Sequence, residues 1–362
     1  MRHAAALVLV CSFGILTPDP SYAAKKPEGL PLKIFFIDVE GGQSTLIVTP
    51  IHQSLLVDTG WAGNGIGYRP GNPHLARDAN RILATAHEAG VSVIDDLLIT
   101  HFHIDHVGGV GELSQMLPIR TFIDHGSPAP ELLSKDADHR NAFTVYSSIR
   151  SGEKHLEPHV GDQLPVRGVE VKIVSTDGKT LVSPLPRAGG ANTACVAPAV
   201  PTQDTLENPR STGFRLRYGE FTFVDLGDLS GAPLRRLVCP KSLIGRVDVY
   251  LVSHHGGADE WDPAVIAGFQ PRVAIVNNGL HKGGARKTFE TLHRVDGIEN
   301  VWQLHLSERA ADLNYPAEFV ANLDESTAYR LALEAYRDGS FDVINSRTGE
   351  RKHYATASLA PR

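Results

Sequence analysis

The chain has 362 residues, 42% hydrophobic and 21% charged, which is the balance of a folded globular protein and excludes one too polar to bury a core. That length encloses one large core or two small ones. A net charge of −6 argues against non-specific nucleic-acid binding, which draws on a basic surface, so nucleic acid is not an expected partner.

The first segment reads as a signal peptide over residues 1–23. Arg2 and His3 precede the apolar run Ala4–Leu16, and Ser21–Ala23 offers small residues for cleavage after Ala23. The run is too short, and too broken by Ser12 and Gly14, to span a bilayer, and no later segment is apolar enough to do so. The expected location is therefore secreted or periplasmic. Export would leave Cys195 and Cys239, which form either one disulfide or two free thiols.

Strand-like runs follow at Ile34–Ile37, Thr45–Val48, Ser54–Val57 and Leu97–Thr100. Between the last two, Ala79, Ile82, Leu83 and Ala86 share a helical face, with Asp78 as the expected cap and Gly90 as the stop. Gly108–Leu117 is a short helix closed by Pro118, Arg120–Gly126 a strand, and Glu131–Arg150 a helix. Thr180–Pro209 is rich in Pro, Ala and Gly and reads as a long loop of the kind that carries function. Gly213–Asp228 alternates around a turn at Tyr218-Gly219-Glu220 and predicts a hairpin. Further strands are expected in Val247–Gly257, Arg272–Gly279 and Val301–Ser307, separated by helices at Ala232–Val238, Pro263–Phe269 and Lys287–Arg294. Apolar strands between helices predict an α/β layered fold with sheets inside. From Asn322 the pattern changes to a hairpin or small meander, a C-terminal β extension over residues 322–358 turning at Asp338-Gly339 and Thr348-Gly349.

The chemistry concentrates at strand ends. "THFHIDHVGG" (Thr100–Gly109) sets His101 and His103 two apart in extended chain, able to point the same way, while Asp105 and His106 begin a helix and turn to a second position. Imidazole with carboxylate suits Zn²⁺, with iron or manganese as alternatives. Four groups cannot close two sites. Later strand ends supply Asp228 in "DLGD", a carboxylate able to bridge two ions, and His254 and His255 in "SHHGG". Asp58 in "LLVDTG" is suited to hold a ligating histidine by its other nitrogen. Each residue alone has an ordinary use: a turn for Asp58, a helix cap for Asp228, a polar turn for "HHGG". Their order and shared position carry the metal reading.

"VDTG", "THFHIDHVGG", "DLGD" and "SHHGG", in that order, resemble the motifs of the metallo-β-lactamase superfamily, over about Leu32–Ser307. "FFIDVEGGQSTLIV", "NPRSTGFRLRYGEFTFVDLGD" and "VYLVSHHGG" are similar to the subgroup containing the C-terminal hydrolase domain of the competence DNA-uptake channel protein. The resemblance implies an αββα sandwich, a hydrolase domain over 32–310, and a dinuclear site. His101 and His103 would bind the first metal, Asp105, His106 and His255 the second, and Asp228 both. His254 would touch substrate or support a ligand from behind. The chain departs from the pattern in three places. The first metal's usual third histidine has no counterpart among His155 and His159, and the subgroup's Gly-Gln-Gly-Asp is "EGGQS" (Glu40–Ser44). Its glycine-histidine-proline segment is "NNGLHKGG" (Asn277–Gly284). His125, ending a strand, is a further candidate ligand or substrate contact.

The expected activity is hydrolysis by a hydroxide held between two metals, with Asp105, His254 and His125 as catalytic candidates and His281 as another proton donor. The subgroup resemblance implies a phosphoester, small-molecule or cell-envelope, as the substrate. A β-lactam or lactone, or a metal-bearing binding protein without catalysis, are the alternatives.

Overall fold

The computed structural model describes residues 1, 29–65, 67–196, 206–257 and 262–357. Apart from Met1, the expected signal peptide lies outside the described residues.

Six strands open the fold: β1 (Leu32–Phe36), β2 (Thr45–Val48), β3 (Ser54–Val57), β4 (Ile94–Leu98), β5 (Ile119–Ile123) and β6 (Lys154–Leu156). Eight more form a second sheet: β7 (Glu170–Thr176), β8 (Lys179–Thr180), β9 (Gly213–Tyr218), β10 (Phe221–Asp225), β11 (Val249–Leu251), β12 (Val273–Val276), β13 (Asn300–His305) and β14 (Val320–Asn322). The last three, β15 (Leu331–Ala335), β16 (Phe341–Asn345) and β17 (Arg351–Tyr354), return to the first sheet. The sheet orders are β17-β16-β15-β1-β2-β3-β4-β5-β6 and β14-β13-β12-β11-β10-β9-β7-β8.

Three apolar clusters define the layers. One lies between the sheets, joining Ile34, Val57, Phe214, Phe223, Leu251 and Trp302. A second packs the outer face of the first sheet against α1 (Arg77–Glu88), α2 (Ile104–Val107), α3 (Val110–Leu113) and α5 (Ala137–Arg150), with α4 (Pro130–Lys135) leading into α5. The third packs the second sheet against α6 (Gly231–Arg236), α7 (Pro263–Phe269) and α8 (Arg286–Arg294). The fold is an α/β sandwich of two sheets between helical layers. Among the described residues no helix is long and apolar enough to cross a membrane.

Some boundaries differ from the sequence expectation. β4 starts at Ile94, because Asp95 and Asp96 are accommodated: Asp95 accepts from the Ser54 amide at 3.0 Å, and Asp96 from Gln53 Nε2 at 2.8 Å. Asp78 is not a cap. It is buried one residue inside α1, accepting from the Trp61 amide at 2.8 Å and paired with Arg77. The helix expected over Glu131–Arg150 is two helices, because Asp136 leaves the helical backbone and caps α5 by accepting from the Asp138 and His139 amides. Cys195 and Cys239 are joined in a disulfide, tying the long loop to the segment after α6.

Candidate metal centre

Parallel pairing of β3 with β4, and of β10 with β11 and β11 with β12, sends successive strand ends to the same edge of each sheet. In open α/β sheets that edge is where sites form. Asp58 follows β3, Thr100–His106 follow β4, Asp228 follows β10, and His254 and His255 follow β11.

The ligand atoms of Asp105, His106, Asp228 and His255 lie within 4.8 Å of one another, as do those of His101, His103 and Asp228. Asp228 belongs to both groups. His255 Nε2 is 3.3 Å from Asp105 Oδ2 and 3.3 Å from Asp228 Oδ1, and His106 Nε2 is 3.2 Å from Asp228 Oδ2. His101 Nε2 lies 3.0 Å from His103 Nδ1 and 3.9 Å from Asp228 Oδ2.

The backbone explains why these side chains converge. His254 and His255 have φ of 51° and 54°, left-handed values that ordinarily belong to glycine. The turn is held by the His254 amide on Gly227 O at 3.1 Å and the Gly284 amide on His255 O at 2.8 Å. Strain of about 1–3 kcal/mol per such residue persists only where surroundings fix it, and it clusters at functional sites. The paired glycines after His106 serve close approach: a Cβ on Gly109 would sit 2.3 Å from Thr59 O.

One hydrogen-bond chain sets both histidine tautomers. Asp58 Oδ2 is 2.7 Å from His106 Nδ1 and accepts from Thr100 Oγ1 at 2.7 Å. A carboxylate only accepts, so His106 carries a proton on Nδ1 and turns Nε2 toward Asp228. Thr100 Oγ1, its proton committed to Asp58, accepts from His101 Nδ1 at 3.1 Å and leaves His101 Nε2 open as well. Thr100 carries no chemistry of its own in the sequence, and nothing there singled it out.

The electrostatics follow from burial and crowding. Burial lowers His101 far below the usual histidine value, and neighbouring His106 and His103 add to it. Burial opposes charge on His106 too, but Asp228, Asp105 and Asp58 outweigh it and raise that residue. Burial also opposes ionisation of Asp105 and Asp228; Lys282 and His106 hold Asp105 low, and His106, His255 and His254 hold Asp228 low.

Whether this set fits a metal is answered by its orphans. His106 Nε2, His255 Nε2 and Asp228 Oδ1 are buried without a hydrogen-bond partner. Buried polar atoms are seldom left unmatched, and here three converge within reach of one another. The residues fit divalent cations, with His101, His103 and Asp228 around one position and Asp105, His106, Asp228 and His255 around the other.

Other expected residues stand differently. His254 Nε2 is 3.7 Å from Asp228 Oδ2, and its side chain is 24% exposed, against 1% for His255. His125 joins neither group: it is buried with Nε2 2.9 Å from Glu207 Oε1, and Glu207 also accepts from the Ala129 amide. Its Nε2 is thus occupied by that glutamate, while Nδ1 is buried without a partner. His281 is exposed between Glu308 and Glu325. The sequence reading missed Lys282, whose Nζ bonds Asp105 Oδ2 and, at 2.7 Å, Gly41 O, and lies 5.3 Å over the Trp61 ring. It also missed His139, its ring 5.2 Å from that of His103. A third cluster, Asp38, Glu40 and His305, is already served by a cation: Arg81 Nη1 lies 2.8 Å from Asp38 and 3.2 Å from Glu40.

Residues 37–190 match the model of the Metallo-beta-lactamase superfamily, so that segment is similar to the domain of this superfamily. The match contains His101–His106 but ends before Asp228 and His255, which geometry adds. An uncharacterized protein of Aquifex aeolicus is 30% identical over 84 residues, 23% of this chain and 38% of its own. A hydroxyacylglutathione hydrolase of Aliivibrio salmonicida is 34% identical over 86 residues, 23% of this chain and 34% of its own. The chain thus matches little more than a third of these curated relatives' length. Among solved structures, the metallo-β-lactamase fold protein YhfI of Bacillus subtilis is 13% identical, with 76% of this chain and 96% of that one covered and a TM-score of 0.44.

Proposed function

We propose that this chain is an exported metal-dependent hydrolase with two Zn²⁺ ions sharing Asp228, acting on a phosphoester as in the subgroup its motifs resemble. The observation that carries the reading is the pair of residue groups meeting at Asp228, with buried polar atoms left unmatched on three of their members. Divalent ions held there supply Lewis acidity and make bound water acidic enough to serve as a nucleophile near neutral pH. The chain's own part is positioning. Asp58 and Thr100 fix the tautomers of His106 and His101, and the left-handed turn brings His255 inward while leaving His254 at the rim. In this reading His254 hands a proton to the leaving group, a role its partial exposure beside Asp228 supports. The Lys282 ammonium at the rim favours an anionic substrate over a neutral one.

The test is a chromogenic panel of phosphate monoesters, phosphodiesters and a β-lactam, run on zinc-loaded protein and on the His255→Ala variant. Phosphoester turnover that is lost in the variant is expected. Turnover of the β-lactam alone moves the assignment to attack at a carbonyl, and turnover of none by metal-loaded protein removes the phosphoester reading.

A further inference from the structure

At the opposite end of the second sheet from the metal centre lies a second cavity, of about 160 Å³, beside the β9–β10 turn and the start of β11. Its floor is Arg215, in the middle of β9 and opposite Val224 of β10. Phe214 and Leu216 face the core between the sheets. Strand alternation therefore sends Arg215 and Arg217 to the outer face. Arg215 is 6% exposed there. Its nearest acid, Glu170, is 3.7 Å from Nη2, and Nε is buried with no partner. Burial depresses its pKa; Glu170 opposes that and Arg217 adds to it.

The cavity's other charges are mostly committed. Glu220 holds Arg187 at 2.5 Å and Arg217 at 3.7 Å. Asp248 accepts from the Thr222 amide and hydroxyl at 2.9 and 3.0 Å. Arg246 lines the same cavity, is exposed, and meets no acid among the described residues. Two guanidinium groups, one buried with an idle donor and one without an acid partner among the described residues, thus line one cavity. A buried arginine in that condition is costly unless something supplies the missing acceptors. Its planar fork of donors matches the oxygens of a carboxylate or phosphate.

We propose that this cavity binds a small oxyanion, a phosphate or carboxylate group, through Arg215 and Arg246, at a site separate from the metal centre. The test is isothermal titration of inorganic phosphate, and separately of acetate, into the full chain dialysed against a chelator and into zinc-loaded protein. The titrations are repeated with Arg215→Met, Arg246→Gln and Asp228→Ala. Saturable one-to-one binding by either anion to chelated protein, weakened tenfold or more in both arginine variants and unchanged in Asp228→Ala, is expected and says which oxyanion is taken. Arg215→Met should fold, because it replaces an under-partnered buried charge with an apolar chain. If it does not, Arg246→Gln, altered at an exposed position, carries the test alone. Absence of saturable binding to chelated protein, or binding indifferent to Arg246→Gln, overturns the proposal, as does binding that is lost only in Asp228→Ala.

Discussion

Thr100 shows how much of this site is set one step behind the ligands. Its hydroxyl joins Asp58 to His101 and fixes which imidazole nitrogen faces Asp228. Thr100→Val keeps the shape and removes that link, so the variant should hold zinc about 10–100-fold more weakly, the usual cost of losing such a partner. Thr100→Ser should hold it as the parent does. A chelator competition titration compares the three, and equal affinities would remove Thr100 from the account. Asp225 is the second residue of interest. Burial raises its pKa to about 7, the Asp58 charge adds to the rise, and the Gly227 amide and Gln43 oppose it. A carboxyl raised above its unfolded value of 3.8 stabilises the fold fully below that pH, and the contribution is lost as pH rises towards 7. Asp225→Asn does not titrate. In chelated protein its stability relative to the parent should therefore improve between pH 4 and pH 8, by on the order of 4 kcal/mol. Urea unfolding at the two pH values measures this, and a difference that stays constant with pH contradicts it.

At the scale of elements, the site depends on turns that admit no extra atoms. The Thr59 carbonyl approaches Gly109 so closely that Gly109→Ala must move α2 or the segment after β3. Its expected cost is about 1–3 kcal/mol, the range for overpacking a tight contact, read as a lower urea midpoint. The disulfide acts on a different element. It closes a sequence separation of 44 residues across the long loop, and a loop of that size predicts a loss of about 2–4 kcal/mol in Cys239→Ser. Peptide mapping of unreduced protein should recover Cys195 linked to Cys239. The elements were legible to the extent that their information is local. "THFHIDHVGG" put four metal-type side chains in six positions after an apolar run, and the hairpin Gly213–Asp228 was written in alternation and a glycine turn. The break at Asp136 was not legible, because a polar face continues through both helices and only the cap geometry parts them.

For the whole molecule, the sequence announced layers but not neighbours. Alternation says which side chains share a face; it does not say which strand lies alongside. Thus the C-terminal meander was readable as strands, while the antiparallel pairing of β15 with β1 was not. The same limit hid Lys282, 177 residues from the Asp105 it bonds, and Glu207, 82 residues from His125. His125 meets the same limit: a histidine at a strand end looks alike in the sequence whether its partner is a metal or, as at Nε2 here, a buried glutamate. Asp228 and His255 were reached through motif order, and the two sheets then brought their side chains to the edge where β3 and β4 also end.

The proposed centre turns on one carboxylate, Asp228, that belongs to two metal positions. Its most direct test is elemental analysis of zinc-loaded, gel-filtered protein, comparing the parent with His103→Ala and Asp228→Ala. The account predicts about two zinc ions per chain in the parent, about one in His103→Ala, and fewer than one in Asp228→Ala, each with the parent's circular dichroism. An Asp228→Ala protein that keeps both ions would contradict it.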